Sequence, residues 1–176
     1  WNWLVSALAS KATILLYEGS PFYPYNECLW DIADEEKISH FGISPGYIST
    51  LMKANVVPRK KYKLESLRTI LSTGSPLLSD HFQYIQDDIK DGVQISSISG
   101  GTDIISCFVL GNPILPVNKG EIQSIGLGMD VRVFNRDGQE TSQQEKGELV
   151  CTQPFPSMPI GFFNDPENKK YKQSYF

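Results

Sequence analysis

The residue types best suited to chemistry stand together in one short segment after a predicted strand at 93–98. The segment reads Ser99, Gly100, Gly101, Thr102 and Asp103. Glycines let backbone amides come close to a phosphate, a threonine hydroxyl can bond a phosphate oxygen, and an aspartate carboxylate is a hard ligand for Mg²⁺. These residues suggest a phosphate and Mg²⁺ site, but taken alone they fit an ordinary turn better.

A second segment with binding potential reads Gly74, Ser75 and Pro76, and it follows a predicted strand at 67–72. Ligands of open α/β sheets bind at the edge where the parallel strands have their carboxyl ends. On its own the segment fits a simple connection from a strand to a helix. Two such segments at one edge would give a nucleotide a wall on each side, so we expect them to be neighbours.

Other kinds of site find less support in the sequence. The glycine-rich fingerprints Gly-x-x-x-x-Gly-Lys and Gly-x-Gly-x-x-Gly do not occur. The only histidines are His40, expected in a strand, and His81, expected on the surface of a helix. Three dispersed cysteines have neither the spacing of a metal site nor that of a disulfide framework, which fits a reducing compartment: Cys28, Cys107 and Cys151.

The elements that position the two segments alternate between strand and helix. Strands are predicted at 13–17, 38–43, 67–72 and 93–98, and helices at 26–37, from Pro45 onward and at 79–90. Ser44 and Ser79 are the expected N-caps of the last two helices, because a serine side chain accepts bonds from the first free amides. Alternation of this kind is typical of a parallel sheet with helical crossovers.

From about residue 120 the pattern changes to short alternating strands, predicted at 120–124, 130–134 and 147–152 with a hairpin turn at 135–138. Three prolines exclude a helix from residues 154–161. We therefore predict an α/β fold in two parts. Residues 1–115 form an α/β subdomain with a parallel βαβ sheet and the nucleotide-side loops, and residues 116–176 form a small β-rich lobe.

Composition and charge narrow the class of protein. The chain has 176 residues, of which 40% are hydrophobic and 20% charged, and a net charge of −4. This balance fits one globular domain or a piece of a larger one, and it does not favour binding to nucleic acid. No apolar run reaches the length of about 18 residues that a membrane span needs. Because the chain begins with Trp1 and not with Met, we expect an internal piece of a longer protein.

Four stretches, in this order, resemble motifs of the AMP-forming acyl-CoA synthetases, also called adenylate-forming ligases. They are an aromatic-and-proline motif at 41–45, an adenine-side loop at 67–77, the Ser-Gly-Gly-Thr-Asp segment at 99–103, and a Gly-Glu-Leu strand with the glycine-aromatic segment after it at 147–166. The resemblance implies that the chain is part of the large N-terminal domain of such a ligase. It also implies ATP, coenzyme A and a small carboxylic acid as substrates, with Mg²⁺ as the metal.

Roles for individual residues follow from the resemblance. Gly74, Ser75 and Pro76 would line the adenine side, while Ser99, Gly100 and Gly101 would form the floor under the nucleotide and the acyl group. Thr102 would hold the α-phosphate and Asp103 the Mg²⁺, which makes these two the candidate catalytic residues. Ser99 replaces the usual aromatic residue of the family, and Asp103 replaces its usual glutamate.

The resemblance also suggests the acid. Five segments are similar in sequence to the family members that act on acetoacetate: 1–8, 17–21, 97–104, 119–123 and 154–159. This similarity implies conversion of acetoacetate to acetoacetyl-AMP and then to acetoacetyl-CoA, and it implies that the reaction takes place in the cytoplasm. A ligase for acetate or another short acid is the alternative, because the acyl pocket draws on residues near 1–3, 41–44 and 97–101.

A non-catalytic, truncated interaction module is an alternative of another class. In the family pattern the phosphate loop precedes Trp1, while the ribose-binding aspartate and the C-terminal domain with its catalytic lysine follow Phe176. We therefore expect these 176 residues to be inactive alone.

Overall fold

A computed structural model of the chain describes residues 2–142 and 144–176. The α-helices in this part are α1 (Asn2–Ala9), α2 (Cys28–Glu35), α3 (Pro45–Lys53), α4 (Ser79–Tyr84) and α5 (Lys169–Tyr175). The strands are β1 (His40–Ile43), β2 (Thr69–Ser72), β3 (Gln94–Ser97), β4 (Ser99–Gly101), β5 (Ser106–Leu110), β6 (Ser124–Ile125), β7 (Val131–Phe134) and β8 (Glu148–Cys151). Within the described residues, every helix is too short or too polar to cross a membrane.

Strands β1, β2 and β3 form a parallel sheet in that order, with Ser72 opposite both Ile43 and Ser97. Helix α3 lies between β1 and β2 in the chain, and α4 lies between β2 and β3, as the predicted alternation requires. β2 and β3 are buried along most of their length, which is typical of parallel strands covered by helices. All three strands end at the same edge, so the segments that follow them start close together.

Helix α3 begins as the sequence predicts. Ser44 has an extended backbone, and its side-chain oxygen accepts a hydrogen bond from the Tyr47 amide at 3.2 Å. Pro45 occupies the first helical position, where its missing amide hydrogen costs nothing. Three apolar residues of the helix face the core: Tyr47, Ile48 and Leu51.

The main hydrophobic core lies around the parallel sheet. Trp30 of α2 is fully buried, and its ring meets the edge of Phe41 in β1 at a centroid distance of 5.1 Å. Ile70 of β2 and Ile95 of β3 are buried to 0% and 1% exposure. Burial of one such side chain stabilises the fold by about 1.5–3 kcal/mol, so this core fixes the sheet against its helices.

Two antiparallel sheets follow in the chain. One has the strand order β4-β5-β6, and the other is the pair β7-β8, in which Val131 lies opposite Cys151. The hairpin turn predicted at 135–138 is confirmed: the Gly138 amide donates to the Asn135 carbonyl at 3.1 Å, and Gly138 has a φ of 71°. Antiparallel pairing thus begins at Ser99, well before residue 120, where the change of pattern is expected from the sequence.

The strand predicted at 13–17 is wrong. These residues belong to no sheet of the described chain, and three of them are exposed: Leu15 by 42%, Leu16 by 73% and Tyr17 by 43%. An isolated apolar segment gains no ladder of hydrogen bonds, and a strand requires a neighbour with which to pair. Apolar composition alone therefore misleads at this position.

The helix predicted at 79–90 is present as a continuous helical segment from Ser79 to Ile89, in two parts. Its N-cap is Leu78 and not Ser79, and α4 is followed by a π-helical turn at Ile85–Ile89. The turn closes where the Lys90 amide donates to the Ile85 carbonyl at 2.9 Å. Lys90 itself is extended, and this ends the helical segment.

His81 is buried, which contradicts the expected surface position. Only 5% of it is exposed. Its Nδ1 accepts a bond from the Leu78 amide at 3.3 Å, so Nε2 carries the hydrogen and lies 2.9 Å from the Ser49 hydroxyl oxygen of α3. The ring therefore bonds the amide of the cap residue Leu78 and joins α4 to α3, while the Asp80 carboxylate accepts from the His81 amide at 2.9 Å.

The segment at 99–103 is a short strand and the start of a turn, rather than the continuous loop that the sequence suggests. Ser99–Gly101 pairs with β5, with a register shift between Ser99 and Gly100. A Cβ on Gly100 would lie 2.5 Å from the Ser106 carbonyl oxygen, so only a glycine allows this pairing. The strand predicted at 120–124 is likewise reduced to β6, because Gly120 turns the chain with a φ of 79°.

A polar cluster joins α2 to two loops. The Asp31 carboxylate accepts hydrogen bonds from the hydroxyl of Tyr25, from the hydroxyl of Tyr62 at 2.6 Å and from the Lys61 ammonium at 3.2 Å. These bonds, first that from Tyr25 and then that from Tyr62, hold the pKa of Asp31 below its ordinary value. The ionised carboxylate therefore stabilises the folded state.

We predict that Asp31→Asn lowers the free energy of unfolding by about 1–2 kcal/mol near neutral pH, because the amide is a weaker acceptor for three donors. The folded-state pKa lies below the unfolded value of about 3.9, so the carboxylate's contribution is complete above that value and is lost as pH falls through the folded-state pKa. Urea unfolding at decreasing pH should show the variant and the wild type converging. The exposed Asp91→Asn serves as the control, and a constant difference at all pH values would contradict the assignment.

We also predict that Gly100→Ala destabilises the β4–β5 hairpin by about 1–3 kcal/mol, because the new methyl group would meet the backbone of β5. Gly46→Ala is the matched control. A Cβ on Gly46 in α3 meets only the Ser44 hydroxyl oxygen at 3.8 Å, so this change should be neutral or stabilising by up to about 1 kcal/mol. Equal unfolding midpoints for the two variants would refute the close approach at Gly100.

Candidate functional site

The two candidate segments begin side by side at the carboxyl edge of the parallel sheet. The Ile98 amide donates to the Ser72 carbonyl at 2.9 Å, which extends the β2–β3 pairing beyond the strands. The Thr73 hydroxyl then donates to the Ile98 carbonyl at 3.1 Å. These two bonds fix the start of the first segment against the start of the second, as the order of the elements predicts.

The first segment presents its backbone to solvent. All three of its residues are exposed: Gly74, Ser75 and Pro76. Leu77, which follows them, is only 4% exposed and packs the end of the segment into the core. Gly74 has a φ of 97°, and nothing lies within 4 Å of where its Cβ would be. Glycine at this position therefore serves the backbone conformation and leaves open space beside the segment.

The second segment places its two side chains with binding potential in the turn between β4 and β5. Thr102 and Asp103 are exposed at the start of this turn, and Ile104, exposed by only 2%, anchors its middle. The Ile105 amide closes the turn on the Thr102 carbonyl at 3.3 Å. A hydroxyl and a carboxylate thus project from a turn whose base is packed.

The Asp103 carboxylate is held by a hydrogen bond from helix α5. Its Oδ2 accepts a hydrogen bond from the Tyr175 hydroxyl at 2.5 Å. Its Oδ1 lies over Gly101, where a Cβ would come within 2.1 Å of that oxygen. This hydrogen bond, more than burial, raises the pKa of Tyr175 to about 12, so the phenol remains a donor at neutral pH.

The residues present fit a magnesium ion that arrives with phosphates. Mg²⁺ usually binds through one or two carboxylates together with waters and substrate phosphates, rather than in a cage made of protein alone. Asp103 is one exposed carboxylate beside an exposed hydroxyl, that of Thr102. The described residues contain no group of three or more His, Cys, Asp or Glu side chains that could hold a metal without a substrate.

Tyr175 is not among the site residues expected from the sequence. The residue lies 72 positions from Asp103, in helix α5. The available signal is the spacing of Tyr171 and Tyr175, four positions apart and so on one face of a helix, near Phe162 and Phe176. That pattern predicts a packed aromatic helix, but it does not indicate which residue the helix approaches.

Residues 42–46 read Gly-x-Ser-x-Gly, the spacing of a serine-hydrolase elbow. In the structure the Ser44 oxygen caps α3 instead. His40 lies with its Nδ1 3.0 Å from the Ser39 hydroxyl oxygen, and His81 bonds Ser49. In the part of the chain that the structure describes, Ser44 therefore has no histidine base.

The acyl-pocket positions named from the resemblance are only partly placed. Trp1 lies outside the described residues, and Phe41 is half-buried against Trp30. Two surface cavities, of about 400 Å³ between α3 and α4 and about 660 Å³ at the β7–β8 hairpin, include none of the candidate residues. Gly74, Ser75, Pro76, Thr102 and Asp103 are instead exposed at the sheet edge.

Comparison with known proteins supplies the family. The family described as AMP-binding enzyme matches residues 1–159. The acetoacetyl-coenzyme A synthetase of Rhizobium meliloti (strain 1021) is 52% identical over 176 residues, which are 100% of this chain and 27% of that protein. The acetoacetyl-CoA synthetase of Mus musculus is 46% identical, with 100% and 26% covered. The chain thus spans about a quarter of the length of these relatives.

Solved structures agree. The acetoacetyl-CoA synthetase from Streptomyces lividans superposes with a TM-score of 0.90 at 43% identity, covering 100% of this chain and 28% of the other. An anthranilate CoA ligase in complex with anthranoyl-AMP gives a TM-score of 0.74 at 15% identity, with 90% and 29% covered, and shows the fold alone. The predicted fold, part of the N-terminal domain of an adenylate-forming ligase, is confirmed. The chain therefore belongs to the AMP-binding enzyme family, and acetoacetyl-CoA synthetases are similar to it along its whole length.

Proposed function

We propose that the protein containing this chain is an acid–thiol ligase that activates acetoacetate with ATP and transfers the acetoacetyl group to coenzyme A. The observation that supports this most directly is sequence identity: all 176 residues of the chain align with acetoacetyl-CoA synthetases at 40–52% identity. The anthranilate CoA ligase shares only 15% sequence identity with this chain, so it carries no information on which acid is activated.

The proposed reaction brings negatively charged groups together, and their charge has to be stabilised. A carboxylate oxygen of acetoacetate attacks the α-phosphorus of ATP, the bond from that phosphorus to the bridging oxygen breaks, and pyrophosphate leaves. The sulfur of coenzyme A then attacks the acyl carbonyl, its proton is lost, and AMP leaves. In the first step two anions meet, so aligned hydrogen-bond donors and a cation lower the barrier by stabilising the charge that develops.

The exposed turn between β4 and β5 supplies suitable groups. We assign the Thr102 hydroxyl as the donor to the α-phosphate and the Asp103 carboxylate as the holder of Mg²⁺, which when bound supplies positive charge at the phosphates. Ser99, Gly100 and Gly101 form the floor under the nucleotide and the acyl group. In this assignment, the close pairing of β4 with β5 keeps that floor flat, because no side chain stands on Gly100.

On the other side of the nucleotide, we assign the exposed segment Gly74, Ser75 and Pro76 to the adenine. The hydrogen bond from the Thr73 hydroxyl to the Ile98 carbonyl supports this assignment, because it holds the two candidate segments together at one edge of the sheet. We further propose that residues 1–115 and 116–176 are two parts of one AMP-binding domain and that the protein works in the cytoplasm. Both proposals rest on the resemblance to the family.

We predict that the whole protein prefers acetoacetate to acetate and propionate by at least about 10-fold in kcat/KM, because a pocket shaped for a longer oxo acid loses contacts with a shorter one. The measurement is AMP and pyrophosphate formation with each acid under identical conditions. Release of ADP and phosphate would contradict an adenylate-forming reaction. Equal rates for the three acids would instead favour the ligase for another short acid.

We also predict that these 176 residues, produced alone, release no pyrophosphate from ATP and acetoacetate above the level without protein. They span 27% of the length of the Rhizobium meliloti relative, so groups from the rest of such a protein are not available to the reaction. The control is the whole protein in the same pyrophosphate assay. Robust release by the isolated chain would refute this prediction.

A further inference from the structure

The residues after 158 form an aromatic cluster, defined here as Phe162, Tyr171, Tyr175 and Phe176. Ring centroids are 5.6 Å apart between Phe162 and Tyr171, 5.7 Å between Phe162 and Tyr175, and 5.1 Å between Tyr171 and Tyr175. A helix of seven residues is not stable on its own in water, so α5 depends on these contacts for its position. The cluster is thus what places the end of α5.

Tyr171 fastens the cluster to the backbone before it. Its side chain is buried to 9% exposure, and its hydroxyl donates to the Pro159 carbonyl at 2.6 Å. Its amide donates to the Asp165 carboxylate at 2.9 Å, which satisfies one of the free amides at the start of the helix. Helix α5 is therefore fixed near its middle, one turn before Tyr175.

Tyr175 reaches the candidate site from this fixed helix. Its hydroxyl donates to Asp103 Oδ2 at 2.5 Å, while Oδ1 remains on the side of Gly101. A carboxylate on an exposed turn would otherwise rotate among several rotamers, and each bound ion would have to select one. A phenol that donates to one oxygen fixes the carboxylate and leaves the lone pairs of the other oxygen available.

From this geometry we propose that Tyr175 is a positioning residue that orients the Asp103 carboxylate for a divalent cation carried by the nucleotide, an inference that rests on the proposed function. Partners that bond to metal-binding carboxylates from behind orient them and raise the affinity for the metal. The opposite role, in which the phenol occupies the oxygen that the cation needs and so inhibits binding, predicts a change of the opposite sign.

The test compares Tyr175→Phe with wild type in the whole protein, by calorimetric binding of a nonhydrolysable ATP analogue with and without Mg²⁺. Loss of the hydroxyl should weaken binding about 10-fold in the presence of Mg²⁺, and leave it unchanged without the ion. In steady-state turnover the Mg²⁺ concentration for half-maximal rate should rise by a similar factor, while the KM for acetoacetate stays constant. Unchanged or tighter binding with Mg²⁺ would overturn the proposal.

Tyr171→Phe is the matched control, because it also removes one phenol hydroxyl from the cluster and keeps the ring. It should lower thermal stability without changing the effect of Mg²⁺ on nucleotide binding. If it weakens Mg²⁺-dependent binding as much as Tyr175→Phe does, and the loss in Tyr175→Phe persists when Asp103 is replaced, the role of Tyr175 is only structural and the proposal fails.

A double-mutant cycle separates this inference from the proposed function. In an Asp103→Asn background, Tyr175→Phe should have no further effect on Mg²⁺-dependent binding. An equal effect in both backgrounds would show that the tyrosine does not act through Asp103. If the wild-type protein binds the analogue with Mg²⁺ and forms acetoacetyl-CoA while Tyr175→Phe matches it, only the inference fails. If the wild type shows no Mg²⁺-dependent binding at all, both fail.

Discussion

The parallel pairing of β2 with β3 is the constraint on which the arrangement of the candidate site depends. Ile70 and Ile95 are neighbours in this pairing and are both buried. A shift of one residue would turn the apolar side chains of one strand to the other face, so the burial of these residues specifies the register. The register in turn places Ser72 beside Ser97, and the two segments that follow must leave the sheet together.

The residues after Ser97 place a hydroxyl and a carboxylate at this edge of the sheet. The chain changes from a parallel to an antiparallel sheet within two residues, and Gly100 permits the close contact with β5 that this change needs. Thr102 and Asp103 then stand on a turn that is anchored by Ile104. The parallel sheet thus fixes where the site lies, and the antiparallel hairpin fixes which groups it presents.

Local signals were sufficient where the interactions are local. Ser44 and Pro45 predict the start of α3, and the alternation of strands and helices predicts the parallel sheet and the edge shared by the two segments. Prediction from the sequence fails where the structure of a segment depends on a partner far away in the chain. Leu16 is apolar but has no strand beside it, and His81 is buried because its ring bonds the Leu78 amide and Ser49 of another helix. The contact of Tyr175 with Asp103 is of the same kind, since nothing near either residue indicates the other.

That contact also sets an order of events during synthesis. The parallel sheet ends at Ser97 and can begin to form once its own residues have left the ribosome, but Tyr175 is made 72 residues after Asp103. At the usual elongation rate of about 5–20 residues per second, this interval lasts about 4–14 s. The nascent chain therefore has the sheet edge before it has the hydroxyl that restrains the carboxylate there.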